Sequence, residues 1–346
     1  MHTASTVYVP IALFCSLAVL IPLPWHLYSW NGGTCLIMIY TSLGLIIRSV
    51  DRIIWDDNVK DNMHIWCDIT SRLLVMIGVG LPAAAFCLNR RLYILVSNPQ
   101  SSMTGAQRQL SLYMDLLIGI GLPALVMGPI VYVGQASRYS LVDGYGCYPA
   151  MIVGPTWSLL TYAWPLVLGS GTVLYGGLII RFLRRHSEAK PDGPGNTLEG
   201  NRDLTRGRFR RLSILAAVQS VGTLAPTAWI IYGDFHLDIR PLPEGNLHST
   251  VMLWPYPEGL LRVHLEFKDW LLVIIAILFF AFFGFSEEAR KQYKIFHRVL
   301  RRMLRLKIEP SQLGTELPAI EFAARYQDAR DLEDPFPEIG EETMLR

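Results

Sequence analysis

The chain has 346 residues, 51% of them hydrophobic and only 17% charged, with a mean hydropathy of +0.30. Soluble domains carry about a quarter charged residues, so the composition excludes an ordinary soluble domain and points to a membrane. The formal net charge of +2 is uninformative by itself; the placement of the charges along the chain is not.

Seven apolar runs, each near the roughly 20 residues a helix needs to cross ~30 Å of hydrocarbon, are expected to span: 7–24, 34–54, 68–88, 112–133, 156–180, 212–233 and 267–285. The first has no basic segment before it and reads as a retained anchor, not a cleaved signal peptide. The second and third hold uncharged stretches of only 13 residues (35–47) and 16 residues (73–88). A 16-residue stretch is about 24 Å of helix, short of the ~30 Å core, so the third span must draw on residues from Asp68 onward. Arg72 then lies near the outer boundary, with Asp68 one turn above it at a spacing that lets the two pair. The second span likewise carries Arg48, Asp51 and Arg52 in its outer third. Ionisable groups at such depth usually face a bundle interior or a watery cavity, so an outer pocket is expected; snorkelling to the headgroups is the plainer alternative. Pro82, Pro123, Pro129, Pro165 and Pro226 fall inside the third to sixth spans, and Pro82, Pro165 and Pro226 are the expected kinks.

Orientation follows from the basic residues. With the N-terminus outside, the inner loops and the start of the tail hold twenty Lys and Arg and the outer side seven, as expected of a cytoplasmic C-terminus. On that topology only Cys67 and Cys147 face the oxidising side, and a disulfide between them is expected; two unrelated thiols are the alternative. Ligand contacts are expected at the outer mouth, from Arg48, Asp68, Arg72, Trp157, Tyr162, Glu266, Asp269 and Trp270. The outer loop 235–266 has four prolines and three histidines, His236, His248 and His264. Their spacing is not that of metal ligands, so neither metal nor cofactor is expected.

The seventh span lacks the deep lysine that a retinal Schiff base needs, since Lys268 lies at its outer edge. No nucleophile, metal or phosphate motif stands out, which argues against an enzyme, and no nucleic-acid partner is expected. On the inner side Asn89, Arg90, Arg91, Arg206, Arg208, Arg210 and Arg211 are the expected contacts of a cytoplasmic partner. Residues 287–308 read as a basic amphipathic helix on anionic inner-leaflet lipids, and 309–346 as an acidic, flexible tail. The seven-helix bundle itself is expected over 1–286.

Three stretches carry a resemblance: IPLPWHLYSWNGGTC (21–35), WCDITSRLLVMIGVGLPAAAFCLNRRLY (66–93) and GCYPA (146–150). They resemble the fungal a-factor-type mating pheromone receptors, class D G-protein-coupled receptors, with a likeness extending over about residues 5–300. The resemblance implies an all-α seven-transmembrane-helix bundle in the plasma membrane. It also implies a secreted peptide ligand with a farnesylated, carboxymethylated C-terminal cysteine, and a heterotrimeric G protein that feeds a mating MAP-kinase cascade. Homodimerisation is left open. The competing expectations are a small-solute transporter or channel and a scaffold that acts through its tail.

Overall fold

A computed structural model describes residues 3–28, 30–97, 105–151, 155–188, 214, 218, 221–222, 224–229, 231–232 and 249–284, all within one compact unit, Met1–Arg290. Four helices in it are long and apolar enough to cross a membrane. Arg206, Arg208, Arg210 and Arg211, the amphipathic segment 287–308 and the tail 309–346 lie outside the described residues.

Helix α1 (Thr3–Leu20) buries Ser5, Tyr8, Ala12, Cys15 and Val19, a stripe at helical spacing, while Phe14 and Leu17 on the other side are exposed. Apolar residues all round suit a helix with lipid on one side and protein on the other. The expected span ran to residue 24, but the helix stops at Leu20, because the residue before Pro22 is held out of the α region. A short helix α2 (Leu23–Tyr28) follows. Helix α3 (Gly32–Ile54) is buried on nearly every side and packs against α1, against α4 (His64–Ser97) and against α7 (Gly259–Phe283). A Cβ at Gly33 would lie 2.7 Å from the Leu88 backbone nitrogen. Only glycine permits this approach of α3 to α4.

Helix α5 (Gly105–Val133) contains two π-helical segments, Leu117–Gly121 and Val126–Ile130, at Pro123 and Pro129. Proline removes an N–H and crowds the carbonyl four residues back, and a local widening of the helix absorbs both. Residue 123 thus has no proton to donate to the Gly119 carbonyl, and Tyr40 Oη of α3 donates to it instead at 2.6 Å. The Tyr40 ring fits because Gly80 faces it, where a Cβ would come within 2.5 Å.

Helix α6 (Pro155–Glu188) opens with proline at its first position and continues through Arg181 and Phe182 well past the apolar run, as does α4 beyond residue 88. The described residues between 221 and 232 are helical and include Pro226. Helix α7 begins eight residues before the expected span, so Glu266 stands on a helix and not in a loop. Hydropathy fades where the charges begin, but helical hydrogen bonding does not.

Strands β1 (Tyr139–Val142), β2 (Gly146–Tyr148) and β3 (Val251–Trp254) form a small sheet in the order β2-β1-β3, β1 antiparallel to β2 and parallel to β3. It caps the end of the bundle that carries the Cys67–Cys147 disulfide, whose Cα atoms lie 5.3 Å apart. That end is called the disulfide end below. The bridge ties β2 to the first turn of α4, as the cysteine pairing predicts. Substituting Tyr40→Phe leaves the buried Gly119 carbonyl without its donor and is expected to cost about 1–3 kcal/mol. A thermal melt of the purified protein checks this; a melt unchanged from the parent would show that the carbonyl has another partner.

Candidate functional site

At the disulfide end α3 presents Arg48, Asp51 and Arg52 on one face, and α7 presents Glu266 and Asp269, one turn apart. All but Glu266 are almost completely buried: Arg48 2% exposed, Asp51 0%, Arg52 1% and Asp269 2%. Isolated charges do not survive such burial, so each must be paired. Asp269 is the hub. Its Oδ1 accepts from Arg48 Nε at 2.8 Å, and its Oδ2 accepts from Arg52 Nε and Nη2 at 3.0 and 2.8 Å. Arg48 Nη1 also donates to Asp51 Oδ2 at 3.1 Å, and Trp66 Nε1 of α4 donates to Asp51 Oδ1 at 2.7 Å. Arg52 reaches Glu266 Oε2 at 3.1 Å.

The sheet closes this network from above. Arg48 lies over the Tyr148 ring at 4.2 Å and donates to its hydroxyl. Arg52 is sandwiched between Tyr8 of α1 and Tyr145 of the β1–β2 turn, 4.5 Å from each ring centre. Tyr145 Oη donates to Glu266 Oε1 at 2.7 Å. Burial, and then the hydrogen bond to Glu266, raise the Tyr145 hydroxyl far above its usual range. Burial likewise raises that of Tyr148 against the opposing pull of Arg48, so both stay neutral donors. The turn seats closely because Gly146 has a positive φ of 78°, and a Cβ there would lie 2.6 Å from Asp51 Cβ. The Gly144 N–H donates to the Trp55 carbonyl at 2.7 Å. Among five ionisable groups there are two cations and three carboxylates, and the half-buried one is Glu266.

The sequence-derived residues thus divide. Arg48, Glu266 and Asp269 meet in one network, and Trp270 packs edge-on against Tyr8 beside it, 5.5 Å between ring centres. Asp68 and Arg72 lie apart from it, and the expected pairing between them does not form. Arg138, from the segment leading into β1, takes Asp68 instead, with Nε donating to Oδ1 at 2.8 Å and Nη2 to Oδ2. A planar guanidinium from another element can meet both carboxylate oxygens at once, which Arg72 on the same helix does not. That bidentate bond raises the Arg138 pKa further. Trp157 and Tyr162 lie on α6, and their side chains are outside the described set. Sequence reasoning did not single out Tyr8, Tyr145 or Tyr148 as site residues; Tyr148 is adjacent to Cys147, and the bridge to Cys67 on α4 was the signal that it would be carried onto this end of the bundle.

At the opposite end, Arg90 Nη2 donates to Asp115 Oδ1 of α5 at 2.8 Å, with Ser111 close by, and Arg91 donates to the Trp30 carbonyl. Asn89 and Asp115 are fully buried. Neither amide atom of Asn89 nor Asp115 Oδ2 has a hydrogen-bond partner among the described residues. Pro82 and Pro165 lie inside α4 and α6.

The family model for the pheromone A receptor, STE3, matches residues 7–303. The chain belongs to the pheromone A receptor family. Its relatives include the pheromone B alpha 3 receptor of Schizophyllum commune, 34% identical over 285 residues, covering 79% of this chain and 44% of the relative. Pheromone receptor 1 of Ustilago hordei is 27% identical over 314 residues, 86% of this chain and 84% of the relative. The pheromone a factor receptor of Saccharomyces cerevisiae is 23% identical over 300 residues, 83% and 61% respectively. The chain spans about half the length of the Schizophyllum relatives it matches. As a member of a membrane receptor family with apolar spanning helices, it is a membrane protein.

Asp269→Ala leaves two buried guanidiniums facing each other and is expected to destabilise the receptor by about 3–5 kcal/mol, read as a lower thermal midpoint in detergent. Gly146→Ala is expected to lower the midpoint as well, because the new Cβ meets Asp51 in a backbone conformation L-residues avoid. Parent-like melting of both would remove the network from the account of stability.

Proposed function

We propose that this receptor detects a secreted, farnesylated peptide mating pheromone at its disulfide end and activates a heterotrimeric G protein at the opposite end, driving a mating MAP-kinase pathway. The supporting observation is the Arg48–Arg52–Asp269 network, which joins α1, α3, α7 and the disulfide-tied sheet through a few contacts that a ligand displacing the sheet would change. The family supports this reading of ligand and transducer, because the relatives' names identify them as pheromone receptors.

In this reading the chain forms seven spans in the plasma membrane with the N-terminus outside, an arrangement supported by the twenty-to-seven excess of basic residues on the inner side. Residues 287–308 then lie on anionic lipid, with 309–346 as a tail behind them. The peptide contacts Asp68 and Arg72 on α4 and Glu266 and Trp270 on α7, with Trp157 and Tyr162 on α6 as further contacts. Arg48 and Asp269, sealed beneath the sheet, act by positioning the groups above them. On the inner side Arg90 is held by Asp115 and Arg91 by the Trp30 carbonyl, and coupling requires their release together with engagement of the basic residues of the 181–211 segment. An agonist shifts this equilibrium only by binding the active form more tightly, so G-protein binding raises agonist affinity by the same factor.

A mating-pathway reporter in cells exposed to a panel of farnesylated peptides is expected to respond to at least one, with agonist-dependent nucleotide exchange on added G protein. Solute flux through proteoliposomes without such exchange would favour a transporter. At equal surface expression, Arg72→Ala and Asp68→Ala are each expected to shift the dose–response to higher peptide concentration by about tenfold, the loss of roughly 1.4 kcal/mol; an unchanged curve removes both from the ligand site.

A further inference from the structure

A cleft of about 530 Å³ runs between α4 and α5 beside the root of the sheet. Ile69, Leu73, Met127 and Tyr132 make its apolar walls, and Gln135 and the Asp68–Arg138 pair form its rim. Its volume lies in the range of about 300–1,000 Å³ typical of small-molecule sites. Ile69 and Tyr132 are each 55% exposed, so the cleft opens sideways on the apolar flank of the bundle, where a membrane chain would enter.

Arg72 is the polar group on its wall. It is exposed, and among the described residues no hydrogen bond or ion pair engages its guanidinium; the neighbouring carboxylate, Asp68, is held at both oxygens by Arg138. Eighteen residues of continuous helix separate Arg72 from Arg90, about 27 Å of rise and close to the ~30 Å hydrocarbon thickness. With Arg90 at one boundary of the hydrocarbon, Arg72 sits at the other, a cation at headgroup depth above an apolar trough. That arrangement matches a molecule with one hydrocarbon chain and a hydrogen-bond acceptor at its root.

We propose that the α4–α5 cleft seats the hydrocarbon chain of the lipid-modified ligand, with Arg72 donating to the carbonyl at the root of that chain. The inference rests on the reading above that the ligand is a lipidated peptide. The choice of ligand chain over bilayer lipid follows from where the cleft ends. Its rim residues Asp68 and Arg138 adjoin Cys67 and β1, so a chain bound here presses on the segments that carry the disulfide-tied sheet. The peptide then emerges at Asp68 and Arg72, the contacts proposed for it above, and the lipid adds anchoring in the apolar trough beside them.

The test uses the full chain in phosphatidylcholine nanodiscs and a photoreactive diazirine analogue of S-farnesylcysteine methyl ester, with adducts mapped by mass spectrometry. Adducts are expected within 69–73 and 127–132, reduced at least tenfold by excess S-farnesylcysteine methyl ester. Leu73→Trp or, independently, Met127→Trp, each of which fills the cleft, is expected to suppress them equally, and Arg72→Gln to weaken them several-fold without moving the thermal midpoint. Adducts elsewhere, or adducts that both tryptophan variants leave intact, overturn the proposal. Competition by added diacyl phospholipid as strong as by the isoprenoid assigns the cleft to bilayer lipid and overturns it too. A receptor that answers farnesylated peptides in the reporter assay yet is labelled elsewhere keeps the proposed function and loses the cleft.

Discussion

One carboxylate, Asp269, holds two arginines from a neighbouring helix in a space that water does not reach. Each guanidinium carries a large desolvation cost that only a well-placed anion and additional hydrogen bonds offset. The surrounding chain is arranged to provide them: Asp51 one turn along α3, Trp66 from α4, aromatic faces from Tyr8, Tyr145 and Tyr148. Because the partners come from α1, α3, α4, α7 and the sheet, no one of these elements can move far without exposing or stranding a charge. Packing among apolar helix faces in lipid offers no comparable penalty, since lipid is as apolar as the side chains it replaces. The charge network therefore fixes relative position at the disulfide end in a way the hydrophobic contacts do not.

The opposite end has a different character. Arg90 and Asp115 make a single strong contact across α4 and α5, and polar atoms of Asn89 and Asp115 are buried without partners among the described residues. Buried groups left unsatisfied store free energy, and an alternative packing that pairs them would be favoured. Between the two ends, α5 departs from α-helical geometry twice at its prolines, and Tyr40 supplies the hydrogen bond that Pro123 removes. An end fixed by a buried charge network, an end held by a single ion pair and a helix of altered geometry between them are the ingredients of a bundle with two arrangements.

Much of this is readable from sequence where the signal is local or additive. The helices follow from runs of apolar residues, and the Cys67–Cys147 bridge is the pairing expected when the placement of Lys and Arg is used to sort the cysteines. Arg48, Glu266 and Asp269 stand out as charges in or beside apolar helices. What the sequence does not carry is which charge meets which. Asp68 and Arg72 have ideal helical spacing, yet Arg138, 70 residues away, wins by approaching with both nitrogens. The sheet was also missed, because its strands are three or four residues long, although Asp143-Gly144 is the dipeptide that favours a tight hairpin. The start of α7 was placed late because hydropathy cannot distinguish a polar loop from a polar turn of helix.

The central claim is that Arg52 and Asp269 depend on each other within one buried network. A double-mutant cycle with Arg52→Met and Asp269→Leu, read by thermal unfolding of the purified receptor, tests it most directly. The account predicts that the double variant is more stable than the sum of the single effects allows, with a coupling free energy of about 1–3 kcal/mol. Strictly additive losses would contradict it, because the two groups would then be buried without sharing an interaction.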